Sequence, residues 1–191
     1  MFKKQLFAIC HLPFAKRGQT IIEMLVILAI ATMFTSMLIT FNRTANNQNQ
    51  LLQFADKFIL DIRRVQDLAY LSQEYNGPNP DYQGQVPCGY GIGFNQETGD
   101  KYFIFAVFNS DCSRVSSGDY SLIELEQIAL PSLIRISETS SNPVIFIPPY
   151  PRSIFFPAAE SMIIKLVLRG SEETAFKNII INRAGQISQI N

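Results

Sequence analysis

Lys16-Arg17-Gly18-Gln19-Thr20-Ile21-Ile22-Glu23, running directly into Met24–Phe41, decides how the rest of this chain is read. Met24–Phe41 holds no charged side chain. As a helix its roughly 18 residues span about 27 Å, close to the hydrocarbon thickness of a bilayer. Its only polar side chains are Thr32, Thr35, Ser36 and Thr40. A helical hydroxyl bonds a backbone carbonyl one turn back, so these four are compatible with lipid. Glu23 stands apart. A carboxylate at the edge of an apolar run is costly unless it is paired or lies near the interface.

A secretory signal has a basic start, a short apolar core and a small-residue cut site after that core. Here Lys16-Arg17 and Gly18 precede the apolar run. A cut after Gly18 therefore leaves the apolar helix at the new N-terminus. This pattern resembles the leader of type IV pilins and type II secretion pseudopilins, in which a basic leader ending in Gly is followed by a hydrophobic residue, Thr, two aliphatics, Glu and a long apolar helix. Gly18, Thr20, Ile21, Ile22 and Glu23 match it, and Gln19 stands where that family usually has Phe. The resemblance implies that a prepilin peptidase reads Lys16, Arg17, Gly18 and Gln19, that Gln19 becomes the N-methylated terminus, and that Glu23 acts in assembly. It implies as partners the peptidase, other pseudopilins or pilins and a membrane platform protein. The plainer alternative is an uncleaved signal anchor with Glu23 at the interface.

Composition agrees with a membrane-anchored chain. The 191 residues carry 16 Lys+Arg and 16 Asp+Glu. The leader holds Lys3, Lys4, Lys16 and Arg17 and no acid, so its removal leaves 12 cations against 16 acids, about −4. Cations before the helix predict a cytoplasmic N-terminus at the bacterial inner membrane and a periplasmic or extracellular C-terminal domain. A mildly acidic mature chain is a poor generic nucleic-acid binder. Cys10 and the single histidine, His11, fall in the leader, leaving Cys88 and Cys112 as an even pair where disulfides persist.

Beyond the leader (1–18) and membrane helix (19–41), residues 42–75 continue as an amphipathic helix. Asn42–Gln50 is polar without Gly or Pro. In Leu51–Gln73 a stripe of Leu52, Ala55, Ile59, Ile62 and Ala69 is widened by Leu51, Phe54, Phe58, Val65 and Leu68. One long helix and two nearly collinear ones both fit. Asn76-Gly77-Pro78-Asn79-Pro80 ends it.

Residues 76–191 read as an antiparallel β domain. Tyr90–Phe94 and Lys101–Phe108 flank the turn-rich Asn95–Asp100, and Ser121–Leu130, Leu133–Ser137, Val144–Ile147, Met162–Leu168, Phe176–Asn182 and Ile187–Ile190 follow. Ile147–Pro157 carries four prolines and is expected to be an edge or loop, with Ser153–Phe156 a short strand inside it. The predicted fold class is α+β, a long N-terminal helix packed on an antiparallel sheet. This element order is similar to the pilin fold. Asp61-Ile62-Arg63-Arg64, Gly91–Phe94 and the closing Ile179–Ile187 hairpin most resemble the GspH/FimT-type minor pseudopilins.

The residues that invite chemistry have plainer readings beside them. Gly89, Gly91 and Gly93 lack the spacing and following helix of a phosphate loop, and fit a strand approached closely by its neighbours. Asp111 and Asp119 lack an EF-hand pattern and read as solvated loop acids rather than calcium ligands. Tyr102, Phe103, Phe105, Phe108, Tyr150, Phe155 and Phe156 read as core more readily than as a ligand patch. With no histidine in the mature chain, histidine-based catalysis is ruled out, and no metal or cofactor motif is present. A hairpin centred near residue 98 sets Cys88 opposite residue 107 or 108, and a bend at Asn109-Ser110-Asp111 must return Cys112 for a bridge to form; two free thiols are the alternative.

The reading is therefore a structural subunit, not an enzyme: a minor pseudopilin of a type II secretion pseudopilus. One rival is a minor pilin of a type IV pilus or DNA-uptake system, which needs Arg135, Arg152, Lys165, Arg169, Lys177 and Arg183 to converge into a basic stripe. The other is a signal-anchored periplasmic enzyme, which needs an acid cluster in a pocket. Intact-mass measurement of the membrane-extracted chain tests the leader. The expected mass lacks Met1–Gly18, and a chain that keeps those residues in the presence of prepilin peptidase contradicts the reading.

Overall fold

The computed structural model describes residues 20–95, 97–118, 120–148, 152–170 and 175–190. The described residues divide into two units between Arg43 and Thr44. A single α-helix, α1 (Ile21–Tyr70), runs through both, so the one-helix alternative holds.

In the first unit every described side chain from Thr20 to Arg43 is exposed. The four hydroxyls bond back into their own helix as expected: Thr32 to the Ala29 carbonyl (2.9 Å), Thr35 to Ala31 (2.8 Å), Ser36 to Met33 (2.8 Å) and Thr40 to Ser36 (3.0 Å).

In the second unit, α1 buries Leu51, Ala55, Phe58, Ile62, Val65 and Ala69, with Phe54 beside them. Their spacing alternates four and three residues, which keeps them on one face. This corrects the predicted stripe. Leu52 lies about 100° around the helix from Leu51 and is 40% exposed, and Ile59 and Leu68 are half-buried at the flanks. The helix also ends earlier than predicted, at Tyr70. The Ser72 N–H bonds the Ala69 carbonyl (3.0 Å) and the Gln73 N–H bonds the Leu68 carbonyl (3.1 Å), with Ser72 left-handed at φ 46°. That is a Schellman end, built on a serine where glycine is usual.

Nine strands follow: β1 (Gly89–Phe94), β2 (Lys101–Phe108), β3 (Ser121–Ala129), β4 (Ile134–Thr139), β5 (Val144–Ile147), β6 (Arg152–Phe155), β7 (Ser161–Leu168), β8 (Phe176–Asn182) and β9 (Ile187–Ile190). They form two antiparallel sheets rather than one, ordered β3-β2-β1-β5-β6 and β4-β7-β8-β9. The chain leaves the first sheet at β4, returns for β5 and β6, and leaves again. β4 runs two residues past its predicted end because a bulge between Ile136 and Glu138 prolongs its pairing with β7. β6 occupies a sheet edge, where its neighbouring prolines place it.

The buried stripe of α1 shares one core with both sheets. It includes Tyr90, Ile92, Tyr102, Ile104 and Phe146 from the first and Ile134, Ile136, Met162, Ile164, Ile179 and Ile181 from the second. Phe58 sits at its centre, its ring 4.9 Å from Tyr102 and 6.1 Å from Phe94. The β1–β2 register pairs Gly89 with Val107, so the hairpin is centred at residue 98. All of β1 is buried. A Cβ at Gly91 would collide with the Val144 carbonyl and the Phe105 ring, so the close-approach reading of that glycine holds.

Ser72→Gly is expected to stabilise the chain by about 0.5–1 kcal/mol, because glycine adopts the left-handed end without steric cost. The urea midpoint of the detergent-solubilised chain checks this, and a lowered midpoint would contradict it.

Candidate assembly site and disulfide

Lys16, Arg17, Gly18 and Gln19 lie outside the described residues. The structure begins at Thr20, whose carbonyl accepts from the N–H groups of Glu23 (3.0 Å) and Met24 (3.2 Å). Glu23 lies in the first turn of α1, where the unpaired N–H groups and the helix dipole favour a carboxylate. It is exposed at the head of a face also carrying Ile27, Ile30, Phe34 and Phe41, all exposed. Among the described residues, α1 is the one helix long and apolar enough to cross a membrane.

Cys88 and Cys112 are bonded, with their Cα atoms 5.2 Å apart. The bend that this requires is real. After β2 the chain reverses at Asn109-Ser110-Asp111 and enters a 3-10 turn, Cys112–Ser117. Asp111 caps that turn, accepting from the Ser113 hydroxyl (2.7 Å) and the Ser113 N–H (3.0 Å). These two hydrogen bonds, the hydroxyl's first, hold the Asp111 carboxyl below its usual range. Asp111 is thus a cap, and Asp119, its companion in the calcium reading, lies outside the described residues. Gly118 closes the turn at φ 87°. The turn drives Val115 into a second, smaller cluster on the other face of the first sheet, with Cys88, Phe105, Val107 and Ile145. Sequence reasoning did not foresee this cover. A lone Val among Ser, Arg and Gly carries no periodicity to reveal it.

The aromatics divide as packing demands. Tyr102, Phe105 and Phe155 are buried, while Phe103, Phe108 and Phe156 are half-buried; Tyr150 lies outside the described residues. Tyr102 donates its hydroxyl to the Asp61 carboxylate, tying α1 to β2. Burial, then that hydrogen bond, then the Asp61 and Glu126 charges push the Tyr102 hydroxyl far above its ordinary pKa. Tyr90 donates to the Gln73 carbonyl (2.7 Å), and its pKa is pushed up to about 12, by burial first and by Tyr75 second. Arg64 pairs with Glu126 on β3 (3.0 Å), and the Gln66 amide donates to the Gly185 carbonyl (2.6 Å) in the closing hairpin. An unforeseen Asn142 extends β1: its side-chain amide both donates to the Phe94 carbonyl (2.8 Å) and accepts the Phe94 N–H (2.9 Å).

The six cations named for a basic stripe fall into two groups, Arg152 and Arg183 by β6 and Arg135, Lys165, Arg169 and Lys177 on or next to the second sheet. Arg152 and Arg183 share the wall of a cavity of about 410 Å³ beside β6, and Arg183 is paired with Glu160 at 3.1 Å. Arg135 and Lys165 lie on β4 and β7, with the Lys165 ammonium 5.1 Å from the Phe176 ring centre. Lys177 is on β8 opposite Leu166, and Arg169 follows β7. Among the described residues no group of three or more His, Cys, Asp or Glu is placed to hold a metal. The cavities beside β4, β6 and the Gln50–Lys57 turn of α1 have one carboxylate in their walls, Glu138.

The fold is α+β as predicted, a long N-terminal helix and antiparallel sheets. No family model and no curated protein matches the chain. Among solved structures it is similar to the minor pseudopilin EpsH from the type 2 secretion system of Vibrio cholerae, at 7% identity and a TM-score of 0.48, covering 74% of this chain and 96% of that one. A likeness at that level transfers no residue roles.

The tyrosines give a pH dependence. A hydroxyl whose folded pKa is raised contributes stability that is fully present below the unfolded value near 10 and is lost as pH rises through the folded value. Between about pH 10 and pH 12 the chain is expected to lose about 2–3 kcal/mol through Tyr90, with Tyr102 adding to the loss above pH 10. Urea midpoints at pH 8, 10 and 11.5 check this. Tyr102→Phe should flatten the alkaline limb, and an unchanged slope in that variant would contradict the assignment.

Proposed function

We propose that this chain is a minor pseudopilin, a membrane-anchored structural subunit of a type II secretion pseudopilus. The observation that carries the reading is the exposed, charge-free helical run Met24–Phe41, headed by Glu23 and preceded by Lys16-Arg17-Gly18. Water does not tolerate such a surface, whereas lipid and other apolar helices do. The leader 1–18 is removed by a prepilin peptidase, leaving Gln19 as a methylated terminus. Residues 19–41 anchor the subunit in the inner membrane with the N-terminus cytoplasmic, 42–75 continue the helix, and 76–191 form the periplasmic domain. The subunit then joins other pseudopilins at the assembly platform. A minor pilin of a type IV or DNA-uptake pilus uses the same anchor. The acidic balance of the chain without its leader, 12 cations against 16 acids, favours the secretion reading over a nucleic-acid track.

Glu23 is the assembly residue. In a single subunit it sits near the headgroups. When helices gather away from water, an unpaired carboxylate costs several kcal/mol, and the new amino group on a neighbour's terminus neutralises it. Apolar side chains gain little by exchanging lipid for one another, so one polar pair sets the axial register. Glu23→Gln keeps the shape and removes the charge. Normal insertion and leader removal are expected, with loss of co-purification with partner subunits. Wild-type recovery of partners with Glu23→Gln would reduce Glu23 to an interfacial residue.

A further inference from the structure

The cavity beside β6, about 410 Å³, is shaped by backbone bonds at the edge of the first sheet. The Ser153 N–H turns away from β5 and bonds the Arg183 carbonyl (3.0 Å), and the Arg183 N–H bonds the Glu160 carbonyl (3.1 Å). Arg183 thus ties β6 to the approach to β7, and the hollow lies between β6 and Ala158-Ala159. The alternation that turns the Ser153 N–H outward turns the Phe155 N–H to the same side.

The cavity wall divides by chemistry. Ile154, Phe155 and Phe156 give it an apolar part. Its charged side chains are Arg152 and Arg183, and no carboxylate lies in it. Arg183 holds Glu160 at 3.1 Å, with the two side chains 49% and 86% exposed. So exposed a pair contributes little, and a second carboxylate competes for the guanidinium at small cost. Ser153 also stands in the wall, 2% exposed, and its hydroxyl has no hydrogen-bond partner among the described residues. Buried hydroxyls are nearly always paired, so this one calls for an acceptor.

We propose that this cavity binds a small organic acid, with its carboxylate against Arg152 and Arg183 and its apolar body against Phe155 and Phe156. The planar guanidinium fork matches a carboxylate, and the carboxylate supplies the acceptor that the Ser153 hydroxyl lacks. The apolar wall selects for a hydrocarbon or aromatic body, which an inorganic anion does not have. The volume lies at the small end of ligand pockets, which run from roughly 300 to 1,000 Å³, so the ligand is a small molecule. Glu160 is a built-in competitor for the same guanidinium. None of these residues belongs to the membrane anchor, so the site stands or falls apart from the secretion reading.

Alanine-methyl nuclear magnetic resonance of the full chain in an uncharged detergent tests this, following Ala158 and Ala159 during titration with benzoate, benzamide or inorganic phosphate. Benzoate is expected to give saturable shifts centred on these two methyls, with benzamide and phosphate binding at least about tenfold more weakly. Arg152→Gln is expected to weaken benzoate about tenfold, and Glu160→Gln to tighten it by releasing Arg183. Both side chains are exposed, so the fold is kept, which unchanged positions of the remaining alanine methyls verify. No saturable shift with benzoate would overturn the proposal. Equal binding of benzamide would leave an apolar hollow without an anion site, and equal binding of phosphate a surface cation pair without a pocket; either overturns it. So would wild-type affinity in Arg152→Gln. A blocked dipeptide ending in phenylalanine that binds about tenfold more tightly than benzoate would replace the small acid by a chain terminus and overturn it as well.

Discussion

The packing of one helical face, Leu51-Ala55-Phe58-Ile62-Val65-Ala69, against two sheets at once is the contact on which the domain depends. Neither sheet can bury its inner face alone. β7 directs Met162, Ile164 and Leu166 to the same interior that receives Tyr90, Ile92 and Tyr102 from the other sheet. Removing the helical face would leave both layers open to water, at about 25 cal/mol for each Å² of apolar surface uncovered. The polar contacts around it fix position more than they add stability. Tyr102 with Asp61, Arg64 with Glu126 and Gln66 with the Gly185 carbonyl each join α1 to a different strand or turn. The exposed Arg64–Glu126 pair contributes little energy of its own.

The same helix meets opposite demands along its length. From Leu51 onward its buried apolar residues keep to one face and most of its charges to the rest, with Leu52 and Leu60 exposed among them. From Met24 to Phe41 they surround it, and its few hydroxyls are satisfied by its own carbonyls. Between them lies Asn42–Gln50, polar and carrying one charge, Arg43. A single element thus changes its solvent within about two turns, and that change is the physical basis for reading it as both anchor and scaffold.

Much of this was legible in the sequence because local chemistry wrote it. Nearly every strand begins and ends within two residues of the bounds that turn residues and alternation indicate, and the hairpin centre at residue 98 follows from Asn95–Asp100. What was not legible depends on partners distant in the chain. The division into two sheets turns on β4 pairing with β7 across some 30 residues, about which alternation is silent. Asn142 serving as a strand neighbour for Phe94, and Val115 plugging the outer face, are single side chains without a repeat. The helix end was misplaced because Ser72 adopts a conformation that its residue type seldom takes. At the site, the pairing of the two cysteines was legible from their count, and the cover beside them was not.

The claim on which the functional account rests is that the exposed apolar face of α1 finds other helices, not lipid alone. Phe34 lies on the Glu23 side of that face and is exposed. Replacing it with a photoreactive phenylalanine analogue in cells that assemble the system, then irradiating, measures directly what it touches. The account predicts covalent adducts with other membrane-anchored subunits, cross-linked through their own apolar helices. Adducts confined to phospholipid would contradict it.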